Sequence, residues 1–205
     1  MRKAPSERAV VFDVGRVLYH WQLGALFAKL IDDPEELAWF LDNVVTEEWH
    51  FAHDRGRLLD EMIPERIALY PQHEAHIRAY RTRFNETLTG PVEGSHELVE
   101  QLAQAGVPLF CLTNFGDELW EGFRPTQPIF DHFEAIIVSG KEQVAKPDPR
   151  IYEIVEERSG RSGDALFFTD DNAANIAAAR ARGWDAHLFT DAASLEAQLK
   201  AAGFL

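Results

Sequence analysis

The side chains able to do chemistry stand in four separated places. Asp13 follows directly on the apolar run VVF. Thr113 and Asn114 close a second apolar run. Lys146 precedes Asp148 and Pro149. Asp170 and Asp171 stand side by side ahead of an alanine-rich stretch. Together these are three carboxylates, a hydroxyl, an amide and an ammonium. The formal net charge of the 205-residue chain is −14, which repels nucleic acid and anionic membranes over long range. An anionic substrate would be repelled as well, unless a bound divalent cation and a placed lysine reverse the field locally. Each residue also has an ordinary role open to it. An aspartate pair ahead of a helix serves as N-cap and first-turn acid, and a lysine before proline suits a solvated loop.

These residues become a site only if the fold gathers them. Five short runs read as strands: Arg8 to Asp13, Val107 to Thr113, Glu134 to Ser139, Ala165 to Thr169 and Asp185 to Phe189. They are apolar on successive residues, as expected of strands buried on both faces of a parallel sheet. Helices fall between them. Ser95 can cap one that Gly106 ends. Asp148 and Pro149 start another that Gly160 stops. Ala173 to Arg182 forms a third, ended by Gly183. The alternation predicts a three-layer, doubly wound α/β fold. In such sheets ligands bind beyond the C-terminal strand ends, and Asp13, Thr113, Asn114, Asp170 and Asp171 all occupy such ends.

Residues 19–90 differ. They show amphipathic helical patterns and no strand pattern. Asp33-Pro34 starts one helix, while Leu58 to Tyr70 (kinked or broken at Pro64) and His73 to Leu88 form two more. The segment reads as a helical cap, with 1–18 plus 91–205 forming the α/β core. Phe27, Trp39 and Phe40 suit the cap's own core. His50 and His53 are spaced as helix neighbours, but no further soft ligand accompanies them for zinc.

Composition agrees with a globular chain: 46% of residues are hydrophobic, and no apolar run approaches the ~20 residues of a membrane helix. Met1 to Arg8 is polar and lacks the apolar centre of a signal peptide. The single Cys111 excludes an intrachain disulfide, which fits a reducing, cytoplasmic setting.

FDVGRVL, LTN, KPDPRIYE and FFTDDNAANIAAA occur in that order. They resemble the four motifs of the haloacid dehalogenase-like (HAD) superfamily, in its branch with an α-helical cap, across essentially the whole chain. WHFAHDRG (Trp49 to Gly56), LTN and FFTDDNAANI are similar to the bacterial sugar-1-phosphate phosphatases of that superfamily. The resemblance implies a phosphatase acting on a small phosphate ester, possible sugar phosphates among them. Asp13 would be the nucleophile that forms an aspartyl-phosphate. Asp13, the backbone carbonyl of Gly15 and Asp171 would hold Mg²⁺, with Asp170 as a further ligand or as orienter of a metal-bound water. Thr113 and the N–H of Asn114 would bond phosphoryl oxygens, and Lys146 would balance the nucleophile and the transferring group. Trp49, His53 and Arg55 would face the substrate from the cap.

One position departs from the pattern. The family usually carries a second aspartate two residues after the nucleophile, as general acid and base. Here it is Gly15, which can neither protonate a leaving oxygen nor activate water. His20 is the nearby candidate substitute. Gly15 also keeps two alternatives open. One is metal-independent 2-haloacid dehalogenation, with aspartate attacking carbon. The other is a catalytically weak HAD-fold binding protein.

Overall fold

The computed structural model describes residues 7–205. Most of the Met1 to Arg8 segment lies outside that range. The chain runs through β1 (Ala9–Phe12), β2 (Tyr19–Trp21), α1 (Gly24–Phe27), α2 (Pro34–Asn43), α3 (Glu47–Asp54), α4 (Leu59–Leu69), α5 (Glu74–Thr82) and β3 (Leu88–Pro91). It continues with α6 (Ser95–Gln104), β4 (Leu109–Thr113), α7 (Asp117–Phe123), β5 (Ala135–Val138), α8 (Ser139–Glu142) and α9 (Pro149–Ser159). The last elements are β6 (Leu166–Asp170), α10 (Ala173–Ala181), β7 (Asp185–Leu188) and α11 (Ala192–Ala202).

Five strands form one parallel sheet in the order β5-β4-β1-β6-β7. The three central strands are buried along their whole length. Successive residues enter different cores, because side chains alternate across a strand. Val10, Phe12, Cys111 and Phe167 pack on one face with Leu98 and Leu102 of α6 and Leu199 of α11. Ala9, Val11, Leu112 and Phe168 pack on the other with Ile151 and Val155 of α9 and Ile176 of α10. That is the expected three-layer, doubly wound arrangement. Strand β1 sits centrally, between β4 and β6, so Asp13 leaves the sheet where its neighbours' chemistry also emerges.

The helix signals act largely as read. The Asp33 carboxylate accepts from the N–H groups of Glu35 and Glu36, and that of Asp148 from the N–H of Arg150. Gly160 ends α9 at φ 64°, a left-handed conformation that glycine adopts without a Cβ penalty. Two details differ. Gly94 (φ 78°), not Ser95, precedes α6. Helix α4 runs through Pro64. The carbonyl that loses its donor there belongs to exposed Asp60, where water can satisfy it.

The larger correction concerns residues 19–90. They hold five helices, but β2 and β3 at the two ends pair antiparallel, with Tyr19 opposite Pro91 and Trp21 opposite Leu88. Strands of three and four residues, the second ending in Gly90 and Pro91, are too short to show a period. This ribbon forms the two crossings between sheet and cap. No helix among the described residues is long and apolar enough to cross a membrane.

Candidate active site

Asp13 sits just past β1, its N–H donating to the Thr169 carbonyl at 3.0 Å. Asp170 ends β6, and Asp171 opens the turn into α10. One oxygen of each of these three carboxylates lies within 4.8 Å of the others. Lys146 reaches them from the loop before α9. Its Nζ is 2.8 Å from Asp13 Oδ1 and 2.6 Å from Asp170 Oδ2, and donates to the Leu112 carbonyl at 2.9 Å. The lysine is 2% exposed. Such a charge is stable in the interior only when paired and hydrogen-bonded.

Asn114 holds that lysine in place. Its Nδ2 donates to the Lys146 carbonyl at 3.0 Å, and its Oδ1 accepts from the Lys146 N–H at 2.8 Å. Thr113 is buried, with its hydroxyl 3.5 Å from the Asn114 carbonyl oxygen. Asp170 is fully engaged: it also accepts from the Asn172 N–H at 2.8 Å and from Asn175 Nδ2 at 2.9 and 3.0 Å. Asn175, one turn into α10, was not singled out from the sequence. Its place in DDNAAN, on the helix face turned back toward the strand end, is the signal that could have found it.

Electrostatics reflect this crowding. Burial, reinforced by Asp170 and Asp171, pushes the Asp13 carboxyl up to about 7 despite the opposing pull of Lys146. Burial and Asp170 raise Asp171 too. Burial would lower the Lys146 ammonium, but Asp13 and Asp170 hold it above its ordinary value. Three carboxylates against Lys146 and the guanidinium of Arg16, 3.8 Å from Asp171, still leave uncompensated negative charge. An all-oxygen set of this kind suits a hard divalent cation such as Mg²⁺.

A cavity of about 350 Å³ opens over these groups. Asp13, Gly15, Asn114, Lys146 and Asp171 floor it. The opposite wall holds Trp21, Phe51, Phe84, Leu88 and Phe115, with Glu47, His50 and Asp54 from α3. Arg16, in the left-handed region at φ 60°, stands at the rim. Its guanidinium lies 3.8 Å from Asp171, 3.7 Å from Glu47 and over the Trp21 ring at 5.1 Å. A non-glycine residue held in that region is worth a functional reading.

The cap face is therefore not the expected one. Glu47, His50, Phe51 and Asp54 lie at i, i+3, i+4 and i+7, one side of α3. Trp49 instead packs edge-on against Tyr80 (4.8 Å between centroids) and lies near Arg66. Arg55 is exposed at the helix end. His53 is 3% exposed; its Nδ1 bonds the Arg57 carbonyl at 2.7 Å and its ring presses on Gly116. His20 is exposed, on the face of β2 opposite Tyr19 and Trp21, and does not line the cavity. A substitute acid must come from elsewhere.

A Cβ at Gly116 would sit 2.0 Å from the His53 ring. Gly116→Ala is therefore expected to unseat the end of α3 and lower stability by ~1–3 kcal/mol. Truncating the obstacle in a Gly116→Ala, His53→Ala double variant should recover more stability than His53→Ala alone predicts. Thermal melting of the four proteins checks the coupling.

The family model for haloacid dehalogenase-like hydrolases matches residues 7–183. The chain belongs to the haloacid dehalogenase-like hydrolases. Among relatives it is 24% identical over 176 residues to the sesquiterpene phosphatase astK of Aspergillus oryzae, covering 86% of each chain. It is 25% identical over 195 residues to acyl-CoA dehydrogenase family member 10 of Mus musculus, of which it spans only 17%. Among solved structures, a HAD family enzyme of Bacteroides thetaiotaomicron in complex with magnesium and inorganic phosphate superposes with a TM-score of 0.67. Its identity is 20%, covering 90% of this chain and 94% of that one. The L-2-haloacid dehalogenase of Xanthobacter autotrophicus superposes at 0.62 with 17% identity, covering 97% and 84%. These likenesses extend the family assignment to the fold of core and cap alike.

Proposed function

We propose that this HAD-like hydrolase is a magnesium-dependent phosphatase that cleaves a small phosphate ester through an aspartyl-phosphate on Asp13. The observation that carries the reading is the convergence of Asp13, Asp170 and Asp171 within 4.8 Å of one another around a buried Lys146. Metal-independent attack on carbon gives no use for that surplus of clustered carboxylates. Asp13, Asp171 and the Gly15 carbonyl are suited to hold Mg²⁺, while Asp170, already occupied by Lys146, Asn172 and Asn175, orients its neighbours. Bound there, the ion would supply positive charge to the phosphoryl oxygens. Lys146 does the same from the protein side. Asp13 forms the bond to phosphorus as the ester oxygen leaves, and water then cleaves the acyl phosphate.

The organic part of the ester meets Trp21, Phe51, Phe84, Leu88 and Phe115. That wall favours an apolar group over the sugar suggested by sequence, because it offers few partners to a polyol. The relationship to a sesquiterpene phosphatase points the same way. Phosphate release from a panel of alkyl, terpenyl and sugar phosphates tests the reading. Release is expected to vanish in EDTA, to return with added Mg²⁺ and to be fastest on apolar esters. Hydrolysis untouched by EDTA would remove the magnesium assignment.

A further inference from the structure

The geometry points to Asp54, on the cap, as the general acid and base that the core lacks at Gly15; the inference rests on the phosphatase reading above. Asp54 ends α3 and lines the same cavity as Asp13 and Lys146. Its end of the helix is fixed to the core. Ser139 Oγ donates to the Asp54 carbonyl at 2.5 Å and itself accepts from the Phe115 N–H at 2.9 Å. The segments following β4 and β5 thus anchor the backbone at Asp54 to the core.

The groups around it define its state. Tyr80 OH lies 2.6 Å from His50 Nδ1, and His50 Nε2 lies 3.3 Å from Asp54 Oδ2. If the phenol donates to Nδ1, the ring proton sits on Nε2, facing Asp54 Oδ2, which favours the acid's own proton on Oδ1. That oxygen is buried and has no hydrogen-bond partner. Asp54 as a whole is 4% exposed. A cavity-lining carboxyl with one oxygen left unpartnered is suited to donate to a ligand. His53, the Gly116 N–H and Lys146 also act on it, while Glu47 and Glu118 face the neighbouring histidines. Burial nonetheless pushes Asp54 up to about 7, so the acid form persists near neutral pH, and burial pulls His50 down to about 4, so the imidazole remains neutral. Neither His50 nor Glu47 fits the role as well. His50 has Nδ1 bonded to Tyr80 OH and Nε2 turned to Asp54, and the Glu47 side chain is 74% exposed.

The chemistry balances. In the first half, an Asp13 oxygen bonds phosphorus and the phosphorus–oxygen bond to the organic group breaks. The departing oxygen keeps the electron pair and takes the Asp54 proton, giving the alcohol. In the second half, water attacks phosphorus and loses a proton to the Asp54 carboxylate. The Asp13–phosphorus bond breaks, and inorganic phosphate and protonated Asp54 result.

Leaving-group dependence tests the assignment. Hexyl phosphate needs a proton at its departing oxygen far more than p-nitrophenyl phosphate does. Alcohol departure ends the first half, so kcat/KM reports the acid step alone: Asp54→Asn is expected to lower kcat/KM on hexyl phosphate by ~10²–10⁴-fold and on p-nitrophenyl phosphate by less than about ten-fold. The retained p-nitrophenyl activity serves as the folding control. Asp54→Glu, which keeps an acid, should recover part of the hexyl phosphate activity. Equal losses on both esters, or a Glu variant no better than Asn, would overturn the assignment and leave the phosphatase reading standing. Absence of phosphate release by the unaltered protein from either ester would overturn both.

Discussion

Asp13→Asn is expected to end phosphate release, lowering kcat by on the order of 10⁴-fold or more, without unfolding the protein. The amide is nearly isosteric and can still accept a hydrogen bond from Lys146, which keeps Asp170 as its ion partner. It cannot form the acyl phosphate. The stability consequence has a definite sign. The folded-state carboxyl titrates at about 7 against an ordinary 3.8. Ionising it within the fold is therefore unfavourable, and stability attached to its protonated form is lost as pH rises through that interval. Asparagine never ionises. At pH 8 in EDTA the variant should melt at or above the temperature of the unaltered protein, and with Mg²⁺ the order should reverse as a ligand is lost. Phosphate assays and melting curves under the two conditions check both halves. Undiminished release by the variant would sink the mechanism.

Lys146→Met should be the more damaging change overall. It removes the cation from two buried carboxylates that stand 2.8 and 2.6 Å from it. Breaking a buried pair from one side costs about 3–5 kcal/mol, because the remaining charge is uncompensated. It also removes a positive charge from the transferring group, worth roughly 10²–10³-fold in kcat. The two losses can be separated by pH. Without the lysine, Asp13 is favoured to protonate at still higher pH than about 7, so acid relieves the repulsion. The melting-temperature gap between the variant and the unaltered protein should narrow from pH 8 to pH 5. The catalytic deficit should persist across that range. A constant melting gap would mean that Lys146 acts by packing alone.

The gathering of Asp13, Lys146, Asp170 and Asp171 was legible along the chain because its signals are local. An apolar run ending in a polar residue marks a buried strand and what it presents, as VVF before Asp13 and LFFT before Asp170 do. One general rule, that parallel sheets gather ligands at their C-terminal strand ends, then brings distant segments together. Asn114 was named for its backbone, yet its side chain does the placing, by clasping both peptide groups of Lys146. Nothing in LTN discloses that contact across 32 residues.

The cap is where sequence reading ran short. The stretch WHFAHDRG shows helix-neighbour spacing at His50 and His53, and α3 covers most of it, but the phase of that helix about its axis was not visible in the sequence. Trp49, His53 and Arg55 were as plausible for the cavity as His50, Phe51 and Asp54 until Tyr80, Arg66 and Gly116 claimed the first side. The ribbon of β2 and β3, which carries Trp21 and Leu88 to the cavity and turns His20 away, is too short to leave a pattern. The sequence by itself determined the sheet, which polar residues stand at its strand ends, and the family. Which cap residues look down on them was decided only by tertiary packing, since a helix or a three-residue strand acquires an inside only when something is packed against it.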